Sequence, residues 1–465
     1  MAKMRVQSWT WLAIFSLAVV GVLSVRGEVF AQDRVVSMVA ADMMGEESPT
    51  YARDVAPILQ KNCVVCHRPG AIAPMSLLTY ENAKQYAPLI KYRVENRLMP
   101  PWHLDNTLGI QAFKNDISLP DEEIETIVRW VDTGAPMGDL SDLAPPVVFD
   151  DSDRWQFEEY YGRPPDLVIQ NPAFKLHAEG LDQWPELDAP LEGLDEERWM
   201  MAIEAKPSPE TRYVFHHGGP SLRQDGERTG LMNSPAGKVG EMFPVDAGKL
   251  IKPDATIRYS LHLFPAGHEV DVVMQWGMWF YPKGEKPTYE TPGEIQVASH
   301  GQMAGSTLRA PDLIVPPNGT LMVRGVRVLD KPTRIHSIRA HMHLRGKYQT
   351  IEAVYPDGRR EILNKVNFQH QWHTTFIYED DARPLLPKGT MLITSTWLDN
   401  TVNNPNNPDP DQWVLYGQRS VDDMAHMWVG VTYIEEEDFE RMVEERELRE
   451  SQTQAPQIAQ AKDDE

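Results

Sequence analysis

Apolar residues near the start of the chain recur at the spacing of amphipathic helices. Val55, Ile58 and Leu59 share one face of a helix predicted over residues 51–62. A second helix is predicted to begin at Ser118-Leu119-Pro120-Asp121, because proline suits the first turn and acidic residues follow it. Its apolar face comprises Ile124, Ile127, Val128 and Val131, and it ends at Gly134 and Pro136. The pattern predicts an all-α unit over residues 50–140, which resembles a small class I cytochrome c domain.

Beyond residue 165 the pattern changes to short runs of β-branched and apolar residues. Examples are Ile257–Leu261, Leu321–Arg324 and Met391–Thr394, and turns rich in Pro, Gly and Asn separate such runs. Their spacing is typical of an all-β sandwich or jelly roll. The length of the region predicts a double jelly roll, with one β-sandwich over residues 166–320 and another over residues 321–435.

Two further segments complete the predicted multidomain organisation. Residues 141–165 are acidic, contain proline and have no sustained periodicity, which indicates a linker. Residues 436–465 begin with a charged helix candidate, and the Gln/Ala/Asp-rich end is predicted to be disordered.

The first 31 residues have the pattern of a secretory signal peptide. Lys3 and Arg5 give a positive start, residues 11–25 are mainly apolar, and small residues precede Gln32. An uncleaved membrane anchor is the alternative, but the apolar run is shorter than the roughly 20 residues that usually span a bilayer. The sequence predicts a periplasmic or secreted protein with no stable membrane span after cleavage.

The charge of the chain narrows the class of partner. The formal net charge is −23 at pH 7. A surface this acidic does not suit contacts with phosphate backbones, so nucleic acid is excluded as a partner.

The only two cysteines lie in the pentapeptide Cys63-Val64-Val65-Cys66-His67. This is the attachment signature of a c-type haem, in which both thiols add to haem vinyl groups and His67 is the proximal iron ligand. A redox dithiol, a zinc half-site and a plain surface turn are the alternatives. A redox dithiol is not usually followed by histidine, and no other cysteine could complete a zinc site. The sequence predicts one covalent haem c.

A haem bound in this way needs a sixth ligand. Met99 is the first choice, because the prolines after it hold the chain extended and could fix a thioether over the open haem face. Met75 is a competitor and His103 a more distant one. A buried methionine often only fills a core, so this assignment stays open.

The strand-rich region contains an ordered set of histidines. His341 and His343 can reach one metal from a single strand, because residues two apart point to the same face. The adjacent His216 and His217 can do so only if the chain leaves regular strand geometry, which the following glycines would permit. His262 lies after a strand-like run, and alone it would more often be a satisfied polar residue. Imidazole groups suit copper or zinc, and a thioether such as that of Met424 favours Cu(I).

The order of these residues resembles the type II copper, ascorbate-dependent monooxygenase family, which includes peptidylglycine α-hydroxylating monooxygenase and dopamine β-monooxygenase. The closest local match is His341-Met342-His343-Leu344-Arg345-Gly346-Lys347. The resemblance implies two jelly-roll-like domains with one copper each. The copper that stores and delivers an electron would be held by His216, His217 and His262. The copper at which dioxygen binds and a C–H bond is hydroxylated would be held by His341, His343 and Met424.

The chain as a whole is similar to a bacterial arrangement in which a cytochrome c domain precedes such a copper region, and the resemblance covers residues 50–435. It departs from the animal enzymes because no cysteine is left for their disulfides. The Gly218-Gly219 pair after His217 is also atypical. Seven histidines receive no role, although His426 lies near enough to Met424 to compete as a ligand: His177, His268, His300, His336, His370, His373 and His426.

The sequence therefore predicts a haem- and copper-containing monooxygenase that acts on a small-molecule substrate with dioxygen. The haem would pass electrons from an external donor, either a small reductant or a redox protein, to two copper ions. One alternative is an electron-transfer protein whose β region binds copper or a partner without catalysis. Another is a copper oxidase or reductase that acts on a small inorganic or phenolic substrate.

Overall fold

A computed structural model describes residues 48–463, except residue 72 and residues 150–153, 235–237 and 299–312. The predicted signal peptide, residues 1–31, and His300 lie outside these described residues. In the part of the chain that is described, no helix is both long enough and apolar enough to span a membrane.

Strands dominate the structure, with 37% of residues in strands and 18% in helices. The helices are a π-helical turn at Tyr51–Val55, α-helices at Ala56–Asn62, Tyr80–Gln85, Ala87–Glu95, Asp121–Asp132, Phe157–Tyr161, Pro209–Arg212 and Glu436–Asp463, and a 3-10 turn at Leu140–Asp142. The strands of the first half are β1 (Leu104–Gly109), β2 (Leu167–Gln170), β3 (Phe174–Leu176), β4 (Glu186–Pro190), β5 (Arg198–Pro207), β6 (Phe215–Gln224), β7 (Glu227–Gly230), β8 (Gly240–Met242), β9 (Ala247–Ile251), β10 (Thr256–Leu263), β11 (Val270–Val272), β12 (Met274–Phe280) and β13 (Tyr289–Glu290). Those of the second half are β14 (Gly293–Ala298), β15 (Ile314–Val315), β16 (Thr320–Val328), β17 (Thr333–His341), β18 (Gly346–Val354), β19 (Arg360–Asn367), β20 (Phe376–Ile377), β21 (Leu385–Leu386), β22 (Met391–Asp399), β23 (Val414–Leu415) and β24 (His426–Tyr433).

The strands from β2 to β13 form two main sheets that bury one core between them. One sheet has the order β4-β10-β6-β7, and the other has the order β13-β9-β5-β12-β2, with β8 beside β5. Leu222 and Tyr259 from the first sheet and Met200 and Trp276 from the second belong to the same cluster of buried side chains. Alternate residues of each strand thus meet across the core, as in a sandwich of two sheets. We call this unit the first sandwich.

A second sandwich follows the same principle. One sheet has the order β1-β19-β18-β22-β16, and the other contains β14-β24-β17-β20, with β21 also paired to β17. Ile351 and Leu392 from the first of these sheets pack with Ile338 and Val429 from the second. This unit therefore has its own apolar core.

The predicted fold class, an all-α class I cytochrome c domain followed by a double jelly roll, is wrong. The described residues are mostly β-sheet and contain no separate helical domain at the N-terminal side. The helices between residues 50 and 140 are few and short, and the longest, Asp121–Asp132, has 12 residues. Several of them pack around a small core that contains Val55, Leu59 and Trp130. The chain between these helices also forms β1, which belongs to the second sandwich.

The reason for the difference lies in the residues that follow Pro100 and Pro101. The chain becomes extended there and adds β1 to the edge of the second sandwich, where Leu104 pairs with Val366. The Trp102 ring lies 4.7 Å from the Phe376 ring, edge to face. Helical periodicity is a local signal, whereas this strand addition depends on residues far away in the chain. Residues 102–114 of this segment are consequently part of the second sandwich.

His103 lies at this junction and generates a prediction about acid stability. Its buried side chain has a pKa lowered to about 4 by desolvation. Between pH 6.5 and about pH 4 the unfolded state therefore binds more protons than the folded state, so stability falls as the pH is lowered through this window. The loss attributable to His103 is at most about 3 kcal/mol.

We expect His103→Leu to flatten the dependence of the free energy of unfolding on pH between pH 6.5 and 4. Urea titrations at several pH values measure this dependence. His177→Leu is the control, since His177 is exposed. An equal slope in the wild type and in His103→Leu would contradict the prediction.

Candidate metal centre

A bulge in β6 brings the adjacent His216 and His217 to the same side of the sheet. His217 lies opposite His262 of β10, and Phe215 lies opposite Leu263, so His216 is the extra residue without a cross-strand partner. A bulge of this kind re-aims a side chain that regular pleating would point to the other face. The departure from strand geometry that a shared metal requires is therefore present.

Gly218 permits the close approach of strands beside this bulge. Its φ angle is 146°. A Cβ atom at this position would collide with the carbonyl oxygen of Ser260 on β10. The glycine after the histidine pair, which departs from the family pattern, is thus required by the local backbone.

Three imidazole nitrogens converge next to the bulge. Nδ1 of His262 lies 3.2 Å from Nδ1 of His216 and 3.2 Å from Nε2 of His217. One ligand atom from each ring lies within 4.8 Å of the other two, so the group could hold a metal ion. The three residues come from neighbouring strands of the first sandwich, which fixes their relative positions.

Asp182 orients the His262 ring from the opposite side. Its Oδ2 atom lies 3.0 Å from Nε2 of His262, and the indole of Trp184 stacks on the ring at 4.0 Å between centres. A carboxylate accepts a hydrogen bond, so Nε2 of His262 carries the proton and Nδ1 keeps its lone pair. A carboxylate that fixes the tautomer of a histidine in this way is common behind metal ligands.

Desolvation keeps these rings neutral. It lowers the pKa of His216 to about 3 and holds the pKa of His217 well below its usual value. The pKa of His262 is also lowered by burial, although Asp182 acts in the opposite direction. Neutral imidazoles have a lone pair available, and imidazole groups suit copper or zinc. The residues of this group therefore fit a bound copper ion.

The second group of predicted ligands lies at the end of β17 in the second sandwich. His341 pairs across the sheet with His426 at the start of β24, and their rings stack at 4.5 Å between centres. The ring of His343 lies 5.4 Å from that of His341. Nδ1 of His341 lies 3.1 Å from Nδ1 of His373, a residue without a predicted role.

Asp423 fixes the segment that carries Met424. Its buried carboxylate accepts hydrogen bonds from the backbone N–H groups of His343 (2.8 Å), Arg345 (3.0 Å) and Met424 (2.8 Å). Burial raises the pKa of Asp423, and these three N–H groups oppose that effect. The carboxylate thus ties the Asp-Asp-Met sequence to the turn after β17. Met424 is thereby held beside His343.

The structure brings the two groups of predicted copper ligands together. A cavity of about 430 Å³ between the sandwiches is lined by His217 and His262 of the first group and by His341, His343 and Met424 of the second. The rings of His217 and His341 are 5.8 Å apart, so the two groups are neighbours within one cluster. We call this cluster the histidine centre, and it comprises His216, His217, His262, His341, His343, His370, His373 and His426.

Sequence reasoning missed several members of the site. His370 and His373 lie in the loop between β19 and β20, where no strand periodicity indicates which way a side chain points. Asp182 is one acidic residue among many. Only His426 gave a signal, through its closeness to Met424 in the sequence. The unassigned His177 and His268 are exposed, and His336 is buried near Glu241.

The cysteine motif follows the helix Ala56–Asn62. Both thiols are free of disulfides, and burial raises the pKa of Cys63 to about 12. The ring of His67 has Nδ1 3.1 Å from the carbonyl oxygen of Met75. A carbonyl only accepts, so Nδ1 carries the proton and Nε2 has the lone pair that an iron ligand requires. The motif therefore fits a covalently attached haem.

Met99 follows the helix Ala87–Glu95. It lines a second cavity of about 430 Å³, together with His103, Leu119 and Ile124. Among the described residues, those lining this cavity do not include Cys63, Cys66 or His67. The carbonyl of Met75 is engaged with Nδ1 of His67, on the edge of the ring away from Nε2. A haem would lie between His67 and its sixth ligand, so contacts of the protein alone do not select that ligand, and Met99 stays a prediction.

Comparisons with known proteins leave the family open. No family model matches the chain, and no curated protein matches it. Among solved structures, the major capsid protein P2 of bacteriophage PM2 is similar at 12% identity, with a TM-score of 0.25, over 57% of this chain and 97% of that one. A Paenibacillus xanthan lyase is 9% identical, with a TM-score of 0.16, over 57% of this chain and 25% of that one. TM-scores this low carry no argument about fold or function.

Asp182→Asn should weaken metal binding by the group formed by His216, His217 and His262. An amide can present N–H to Nε2 and does not hold the tautomer that leaves Nδ1 open, so we expect copper affinity to fall about 10–100-fold. Competition with a calibrated chelator measures this affinity. Glu179→Gln is a matched control, since Glu179 is exposed and the change removes the same charge. Equal affinity in both variants would show that Asp182 does not orient a metal ligand.

Proposed function

We propose that this protein is an extracytoplasmic, copper-dependent monooxygenase with a c-type haem as its own electron carrier. The observation that carries the proposal is the histidine centre, in which members of both groups of predicted ligands line one cavity between two sandwiches. The order of ligands along the chain supports the same class through its resemblance to the type II copper monooxygenases. Bound copper would supply the one-electron redox chemistry for hydroxylation of a C–H bond by dioxygen.

His216, His217 and His262 are proposed to hold the copper that receives electrons. Their nitrogens already converge, so little rearrangement is needed when a metal binds. Because desolvation keeps the rings neutral, binding does not have to displace protons from them near neutral pH. Asp182 holds His262 in the required tautomer.

His341, His343 and Met424 are proposed to hold the catalytic copper. The thioether of Met424 is a soft ligand that favours Cu(I), the form expected to meet dioxygen. The carboxylate of Asp423 accepts three backbone hydrogen bonds, and these hold the Met424 segment against the turn after β17. The two groups of ligands face the same cavity, so a substrate there would lie close to both.

The haem is proposed to be attached through Cys63 and Cys66, with His67 as one iron ligand and Met99 as the other. The segment from residue 367 to 376, from the end of β19 to the start of β20, connects the residues that follow Met99 with the histidine centre. At one end the N–H of Asn367 donates to the carbonyl of His103 (2.8 Å). Further along, the hydroxyl of Thr374 donates to the carbonyl of Pro101 (3.4 Å). The same segment carries His373, so it would be the hydrogen-bonded connection between a haem ligated by Met99 and the histidine centre.

The cavity suits a small-molecule substrate. Its lining combines the aromatic side chains of Trp184, Tyr416 and Trp428 with the polar Gln296 and Gln418. Its volume of about 430 Å³ lies in the range of ligand-binding pockets. The proposed partners are therefore this substrate, dioxygen and an external electron donor.

Met424→Leu should abolish copper-dependent oxygen uptake by the reduced holoprotein. Leucine keeps the volume of the side chain but has no sulfur ligand, so the haem spectrum and the copper held by His216, His217 and His262 should be unchanged. An oxygen electrode and metal analysis measure these quantities. Met242→Leu is the control, since Met242 is exposed on β8.

Two results would overturn this function. Full oxygen uptake in Met424→Leu would remove the proposed catalytic ligand. A wild-type protein that binds one copper or none per haem would favour the electron-transfer alternative, in which the β region is not catalytic. Rapid anaerobic reduction, with the haem and copper signals followed together, then tests whether electrons pass between them.

A further inference from the structure

His373 lies at the middle of the histidine centre, although nothing in the strand pattern points to it. The turn Gln369–Trp372, closed by an N–H of Trp372 that donates to the carbonyl of Gln369 (2.9 Å), carries the chain past β19. His370 lies within this turn and His373 directly follows it. The side chain of His373 is only 4% exposed.

The contact between His341 and His373 has the geometry of two ligands on one metal. Two nitrogens bound to a tetrahedral ion at about 2.0–2.1 Å lie about 3.3 Å apart. Nδ1 of His341 and Nδ1 of His373 are 3.1 Å apart. The convergent nitrogens of His216, His217 and His262 have contacts of 3.2 Å, so the same spacing occurs twice.

The second ring nitrogen of His373 has no partner in the structure. Nε2 of His373 is buried and has no hydrogen-bond partner among the described residues. If His373 donates through Nδ1, Nε2 is a buried lone pair that could itself bind a metal, and if Nδ1 accepts a hydrogen bond or binds a metal, Nε2–H is a buried donor. Buried polar atoms are normally paired, and an orphan of this kind calls for a ligand or a bound water. Nδ1 of His370 is also buried and has no hydrogen-bond partner among the described residues.

His373 also adjoins the ligands of the first sandwich. Its ring stacks on that of His217 at 5.5 Å between centres and lies 5.8 Å from that of His216. The ring of His341 is 4.9 Å away on the other side. His373 therefore lies between the two groups of predicted ligands and contacts both.

We propose that His373 is a metal ligand that acts together with His341, and that through it the two groups form one compact copper centre. This inference rests on the proposed function, because His341 must itself hold a metal. It adds a ligand beyond His343 and Met424, and it places the two copper ions next to each other instead of in separate domains.

The test uses the full-length haem protein, stripped of copper with a chelator and titrated with Cu(II). Copper content, affinity by chelator competition and the EPR spectrum are measured. We expect two copper ions in the wild type, with EPR lines broadened by the interaction of two neighbouring spins. His373→Gln should weaken binding of one copper by at least about 10-fold and leave the other unchanged.

His268→Gln is the matched control, since His268 is an exposed histidine of the first sandwich. Two copper ions with unchanged affinity in His373→Gln would overturn the inference and leave the proposed function standing. A wild type that binds no copper would overturn both. If the variant does not fold, the wild-type spectrum still decides, because two unbroadened, independent Cu(II) signals would contradict a compact centre.

Discussion

Exclusion of water from a group of neutral imidazoles is the constraint on which the candidate site depends. The rings lie where two sandwiches meet, and burial lowers the pKa of His217, His341 and His373 well below the usual range. If they were charged, repulsion between neighbouring rings would separate the sandwiches. Neutral rings can lie in contact and have lone pairs for a metal, so one physical condition serves both assembly and metal binding.

The chain that follows the N-terminal helices packs against the second sandwich next to the loop that carries His370 and His373. β1 adds to the sheet edge beside β19, and Trp102 packs between Phe113 and Phe376. The loop that follows β19 carries His370 and His373 into the histidine centre. The segment after the cysteine motif and the histidine centre therefore share one structural element.

Local elements were predictable from the sequence, but their assembly was not. Ile257–Leu261, Leu321–Arg324 and Met391–Thr394 lie within β10, β16 and β22, because alternation of side chains is a property of each strand alone. The helix Asp121–Asp132 begins directly after Pro120, for similar local reasons. The separate all-α domain was a wrong prediction, since periodicity does not report that β1 pairs with β19, more than two hundred residues later.

The sequence by itself determined which groups could bind metals: two thiols beside His67, the histidine pairs, and Met424 after two acids. The ability of these side chains to bind a metal follows from their chemistry, so it can be recognised without knowledge of the fold. Tertiary structure alone decided that His216 lies in a bulge, that Asp182 orients His262, and that His373 joins His341. The physical reason is that a bulge, a buried carboxylate contact and a loop direction depend on the packing of distant strands, which no local pattern encodes.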